Sequence, residues 1–236
     1  MPLYCTALFI RAMIDISSDH KGECSMKVLV TGFQPFGGET KNPSYEAVKL
    51  LPDEILGSEI IKLEVPVVFG QAGEIVAAKA REVRPDLILC VGQAGGRTNI
   101  TPERVGINVN DGTAPDNSGY IPCGEAIVKG GPDAYFTNLP IKAMVQKMLD
   151  HDIPAGISNT AGTYVCNNLM YSVMHLVHTE LQGVRAGFIH VPYATMQHNF
   201  KFASMPLTEI AKGIELCIEA CLENENDIQL TAGATH

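Results

Sequence analysis

Cys166 has the setting of a reactive residue. The segment Ser158-Asn159-Thr160-Ala161-Gly162-Thr163-Tyr164-Val165-Cys166-Asn167-Asn168 is a polar, glycine-containing turn that runs into a cysteine at the opening of a long helical stretch. A thiol at a helix start meets unpaired backbone N–H groups and the positive end of the helix dipole. Both favour the thiolate, which is the nucleophilic form. The Cys166 N–H is also placed to hold an oxyanion. The competing reading is a buried structural cysteine.

A thiol nucleophile needs a base, most often histidine. Of the seven His, His20 and His236 lie near the chain ends, His151 follows a helix and His198 sits in a polar loop. His175 and His178 fall about two turns or more along the helix that Cys166 opens. His190 ends the apolar run Gly187-Phe188-Ile189-His190-Val191-Pro192-Tyr193. In a strand–helix succession the carboxyl end of that run lies at the same sheet edge as the Cys166 helix start, so His190 is the best-placed base; a satisfied core histidine is the alternative. A carboxylate would fix the imidazole tautomer and stabilise its cation. Glu103, Asp111 and Asp116 are all candidates, and spacing does not choose among them.

Two glycine loops invite a different chemistry. Gly32-Phe33-Gln34-Pro35-Phe36-Gly37-Gly38 follows the first strand, and Gly92-Gln93-Ala94-Gly95-Gly96-Arg97 follows a later one. Neither has the spacing of a dinucleotide or P-loop fingerprint. Phe33 and Phe36 point to a flat apolar ligand, or else they staple the loop to the core. Cys217 and Cys221, four apart on a helix without zinc-type partners, read as packing residues.

The elements that must position these groups alternate. Strands are expected over 27–31, 60–67, 86–91, 104–110 and 186–191, with a short one over 156–159. Helices are expected over 44–51, 71–83, 141–150, 168–181 and 207–223, and 111–131 is irregular, as binding loops often are. Apolar strands alternating with helices predict an α/β chain with a mostly parallel sheet covered on both faces. Ligands in such sheets sit at the carboxyl ends of the strands.

Composition narrows the partners. Hydrophobic residues are 46% of the 236, enough for a sizeable core, and no apolar run approaches a bilayer span. The balance of 17 basic against 26 acidic residues, with no Lys/Arg cluster, argues against nucleic acid and anionic membranes. Seven irregularly spaced Cys, several inside apolar runs, point to a reducing compartment. Residues 1–25 are read as an N-terminal extension lacking the features of a signal peptide, and 225–236 as a polar tail.

Five stretches together resemble the pyroglutamyl peptidase I family of cysteine peptidases. They are Thr31-Gly32-Phe33-Gln34-Pro35-Phe36-Gly37-Gly38, Asn42-Pro43-Ser44, Glu103-Arg104-Val105-Gly106-Ile107-Asn108, the 158–167 segment, and His190-Val191-Pro192. The resemblance covers about 26–221. It implies a single α/β/α sandwich domain over 26–224 that removes N-terminal 5-oxoproline from peptides through an acyl-enzyme. It assigns Cys166 as nucleophile, His190 as base and then acid, and Glu103 as the orienting carboxylate. Phe33 and Phe36 would flank the pyrrolidone ring, with Gln93 a further pocket residue. It further implies a cytoplasmic homotetramer that needs neither cofactor nor metal. The rivals are an α/β nucleoside- or phosphate-handling enzyme that uses the glycine loops, and a non-catalytic small-ligand module on the same fold.

Overall fold

The computed structural model describes residues 25–199 and 201–233. The extension expected over 1–25 therefore lies, but for Ser25, outside the described residues. In chain order the first elements are β1 (Lys27–Phe33), α1 (Pro43–Leu50), the hairpin β2 (Glu54–Ile55) and β3 (Ser58–Val65), α2 (Gln71–Val83) and β4 (Leu87–Gln93). Five short strands follow: β5 (Thr101–Pro102), β6 (Val105–Ile107), β7 (Asn110–Asp111), β8 (Cys123–Glu125) and β9 (Ala134–Phe136). The chain then forms α3 (Ile141–Leu149), α4 (Val165–Thr179), β10 (Arg185–Val191), the pair β11 (Tyr193–Ala194) and β12 (Ser204–Met205), and α5 (Leu207–Glu223).

The central sheet has the order β2-β3-β1-β4-β10-β5. Its four inner strands are parallel, and the two-residue β2 and β5 close the edges antiparallel. Alternate strand residues feed opposite cores, as a period of two requires. Val28, Val30, Leu87, Leu89, Val91 and Ile189 face α1, α3 and α5. Leu29, Phe33, Ile88, Cys90 and Phe188 face α2 and α4. The result is a three-layer α/β/α sandwich with a mostly parallel sheet. Cys217 and Cys221 are buried in the first core, and no described helix is long and apolar enough to cross a membrane.

Two expected strands differ. The strand expected over 104–110 shrinks to β6, in which Gly106 is the buried residue, and β6 pairs antiparallel with β9, outside the central sheet. Its place is fixed by α4: the Asn167 side chain donates to the carbonyls of Ile107 (2.9 Å) and Val109 (3.0 Å) and accepts from the Ile107 N–H (2.9 Å). The stretch 156–159 forms no named strand, but it runs alongside 100–104, with a bridge from Ser158 to Glu103 and backbone bonds from the Gly156 N–H to Ile100 (3.1 Å) and the Ser158 N–H to Pro102 (3.0 Å). Helix α4 begins at Val165, three residues before the expected start, which brings Cys166 inside its first turn. Gly32 serves packing: a Cβ there would stand 2.5 Å from the Tyr45 Cα, so a side chain would push α1 off the end of β1.

Candidate active site

Parallel pairing sets Gly92 of β4 directly opposite His190 of β10. A Cβ on Gly92 would stand 2.9 Å from the Cys166 sulfur and 2.7 Å from the Phe188 ring. The Phe188 and His190 rings lie 4.9 Å apart on the same face of the sheet. Thiol and imidazole thus gather on the α4 face of the sheet beside this one glycine. Tyr164 caps α4 without a side-chain hydrogen bond, and the first turn carries no acidic residue. The N–H groups at Cys166 are accordingly not claimed by a cap. Among the described residues the Cys166 thiol makes no hydrogen bond to His190. Catalytic contacts in unliganded sites commonly close only when substrate binds.

Geometry also chooses among the three acids. β5 runs antiparallel to β10, and the Glu103 N–H donates to the Phe188 carbonyl (2.8 Å). That places the fully buried Glu103 carboxylate beside the imidazole, where His190 Nδ1–H donates to Oε1 at 2.6 Å. With Nδ1 protonated, Nε2 carries the lone pair a base needs. Asp116 is spent elsewhere: its carboxylate accepts from the N–H groups of Phe69, Ser118 and Tyr120 and ties up the irregular loop. Asp111 is exposed.

Arg97, Gly92, Tyr164 and Tyr193 were not singled out by the sequence reading. Arg97 Nη1 donates to the same Glu103 oxygen as His190, at 2.6 Å. The only available signal was an arginine closing a glycine turn six residues before the acid. Among the described residues the other Glu103 oxygen has no hydrogen-bond partner.

The electrostatics correct one expectation. Helix-start placement predicts a thiolate at Cys166. Burial instead pushes the thiol up to about 12, with the Glu103 charge adding and Arg97 opposing. Desolvation disfavours the charged form of a buried thiol. Burial likewise lowers His190 from its ordinary value, with Glu103 raising it and Arg97 lowering it. Both shifts favour the neutral forms, thiol and imidazole.

Cys166 is half-buried and opens onto a cavity of about 170 Å³, whose walls include Phe33, Phe36, Gln93, Tyr164 and Tyr193. Phe33 is both wall and core, only 2% exposed. Phe36 packs on Tyr164 with ring centroids 5.5 Å apart. Gln93 accepts at Oε1 from Gln197 Nε2 (3.1 Å). The volume is smaller than the roughly 300–1,000 Å³ of drug-sized sites and suits a small ring.

The glycine loops do not form phosphate cradles. In the first, the Phe33 N–H donates to Ser44 Oγ (2.9 Å) and the Gln34 N–H to the Val65 carbonyl (2.9 Å). In the second, the Ala94 N–H donates to the Val191 carbonyl (2.9 Å) and the Arg97 N–H turns back to Ala94.

A family model described as pyroglutamyl peptidase matches residues 26–224. A pyrrolidone-carboxylate peptidase of Enterococcus faecalis is 54% identical over 213 residues, covering 89% of this chain and all of the relative. One from Clostridium perfringens is 52% identical over 211 residues, covering 89% and 99%. The crystal structure of Bacillus amyloliquefaciens pyroglutamyl peptidase I superposes with a TM-score of 0.83 at 46% identity, over 86% of this chain and 100% of that one. A mutant pyrrolidone carboxyl peptidase from Pyrococcus furiosus gives 0.81 at 41% identity, over 84% and 99%.

Proposed function

Because the chain belongs to the pyroglutamyl peptidase family, we propose that Cys166, His190 and Glu103 carry its activity, the removal of an N-terminal 5-oxoprolyl residue from peptides. The observation that carries this assignment is the 2.6 Å bond from His190 Nδ1 to the buried Glu103, with His190 in register with the glycine beside which the Cys166 sulfur rests.

On this reading His190 Nε2 takes the Cys166 proton as the sulfur attacks the carbonyl after the ring. Forming the ion pair only at that moment fits a resting site in which both groups are neutral. The oxyanion is held by the uncapped Cys166 N–H. The His190 imidazolium, steadied by Glu103, then protonates the departing amine. The shortened peptide leaves with that amine, and water, deprotonated by the now neutral imidazole, cleaves the thioester to free pyroglutamate while His190 returns the proton to the Cys166 sulfur.

Phe33 and Phe36 are the walls for the flat ring, and the Gln93 amide faces the same cavity. The substrate end carries no ammonium, so the pocket needs no countercharge. Proline lacks the lactam carbonyl, and the pocket group left unpaired would cost roughly 1–3 kcal/mol. The peptidase domain is read as 26–224 and the working form as a cytoplasmic homotetramer. Free, buried Cys90, Cys217 and Cys221 support a reducing compartment.

The test is hydrolysis of a chromogenic pyroglutamyl amide. The native chain turns it over, iodoacetamide abolishes turnover, and Cys166→Ser is folded and inactive. An active Cys166→Ser variant would mean that another group is the nucleophile.

A further inference from the structure

We propose that Arg97 is a positioning residue that shares the Glu103 carboxylate with His190 and thereby sets the pH range in which the imidazole serves as a base. The inference rests on the reading of Cys166, His190 and Glu103 as the catalytic set. Arg97 closes the second glycine loop, where its N–H turns back to the Ala94 carbonyl. The turn returns the chain so that the Arg97 guanidinium meets Glu103 Oε1 at 2.6 Å, the same oxygen and the same distance as His190 Nδ1. Arg97 is anchored on two further sides: Nη1 also donates to Thr101 Oγ1, and Nη2 donates to the Thr160 carbonyl at 3.2 Å. Thr101 is itself the register partner of His190. Arg97 and His190 therefore form one fixed array around a single Glu103 oxygen, with Thr101 holding the guanidinium in place.

Two donors on one oxygen have a definite consequence. A buried carboxylate with no other partner would draw the imidazole strongly toward its cation. A permanent cation on the same oxygen offsets that charge and leaves less of it for the ring. Arg97 acts on His190 in this lowering direction, against Glu103. Cys166 on α4, its sulfur beside the His190 register partner Gly92, is a thiol held protonated by burial. Among the described residues Arg97 is the permanent cation that acts on His190. With Arg97 in place Glu103 orients the ring while His190 stays neutral and ready to accept a proton. Arg97 does not line the cavity, so its removal should leave substrate affinity alone.

The experiment follows kcat/KM against pH for the native chain, Arg97→Gln and Arg97→Lys. In Arg97→Gln the acid limb moves to higher pH by about one unit while KM is unchanged. Arg97→Lys keeps a cation and returns the limb toward its native position. Thr101→Val removes one anchor of Arg97 at nearly constant shape and shifts the limb the same way by less; it carries the test if Arg97→Gln does not fold. An unmoved limb, a limb moved to lower pH, or a rise in KM at constant kcat would overturn the proposal. The His190 ring titration, followed by NMR in Cys166→Ala with and without Arg97→Gln, reads the same shift with no substrate. Absence of turnover in the native chain would defeat the peptidase reading and leave this second measurement standing.

Discussion

His190 and Gly92 face each other across the parallel β4–β10 pair, and the hydrogen atom that Gly92 carries in place of a side chain is what leaves room for the Cys166 sulfur. The glycine is therefore part of the site without touching a proton. A methyl there would meet the sulfur at 2.9 Å and the Phe188 ring at 2.7 Å, both closer than side-chain carbons tolerate. Gly92→Ala should displace the thiol by a few tenths of an ångström to an ångström. Misplacement on that scale costs about 10²-fold in rate. We expect kcat/KM to fall by about that factor, with about 1–3 kcal/mol of stability lost as the buried Phe188 ring gives way. Near-native turnover would show that the sulfur does not work from this position.

The neutral resting pair gives a pH signature. A thiol raised by burial gains thiolate tenfold for each unit of rising pH, up to its pKa at about 12. Alkylation of Cys166 by iodoacetamide should therefore accelerate steadily from pH 6 to 10. A preformed ion pair would instead level off near neutrality. His190 shifts the other way: lowered by burial, it remains neutral to lower pH than an ordinary imidazole. Peptidase activity should hold as pH falls to the ordinary histidine range, near 6.5, and fail only below it. A plateau in alkylation below pH 7 would sink the neutral-pair account.

Glu103→Gln separates charge from shape. The amide oxygen can still accept from His190 Nδ1 and Arg97, so the array keeps its form. The imidazolium loses its countercharge, and kcat should fall by about 10²–10⁴-fold with KM little changed. Arg97, 27% exposed at its side chain, would also lose its ion-pair partner. Partial exposure softens that loss to about 1–2 kcal/mol, below the value for a fully buried pair. A thermal melt checks the stability, and single-turnover kinetics check the acylation rate. An unchanged kcat would remove Glu103 from the mechanism.

Local pattern carried the sequence reading as far as local causes act. Helices α2 and α5 were read at their observed limits, 71–83 and 207–223, because their apolar spacing is a property of each segment alone. The strand over 104–110 was read from the same kind of signal, yet alternation does not name a partner. β6 joins β9, twenty-seven or more residues on, because Asn167 captures its backbone groups. Cys166 and His190 were legible because a helix start and a strand end each have a local mark. Spacing could not choose Glu103, whose partner lies 87 residues away in sequence, and that choice came from the family resemblance. Arg97 and Gly92 escaped for the same reason: each acts through a contact that only the assembled sheet creates.

The two phenylalanines of the first loop should part company on substitution. Phe33 is buried and belongs to the core beneath α2 and α4 as well as to the cavity wall. Phe33→Ala removes a ring the fold cannot easily collapse around, and about 3–5 kcal/mol of stability should go with it. Phe36 is half-buried, and its main ring contact is Tyr164 at the cavity mouth. Phe36→Ala should leave the melting temperature nearly unchanged and raise KM for a pyroglutamyl amide roughly tenfold or more, since the ring loses one apolar wall. Denaturation curves and KM measured on both variants distinguish the roles. If Phe36→Ala binds substrate as well as the native chain, the ring does not lie against Phe36, and the wall must be assigned to Tyr164 or Tyr193 instead.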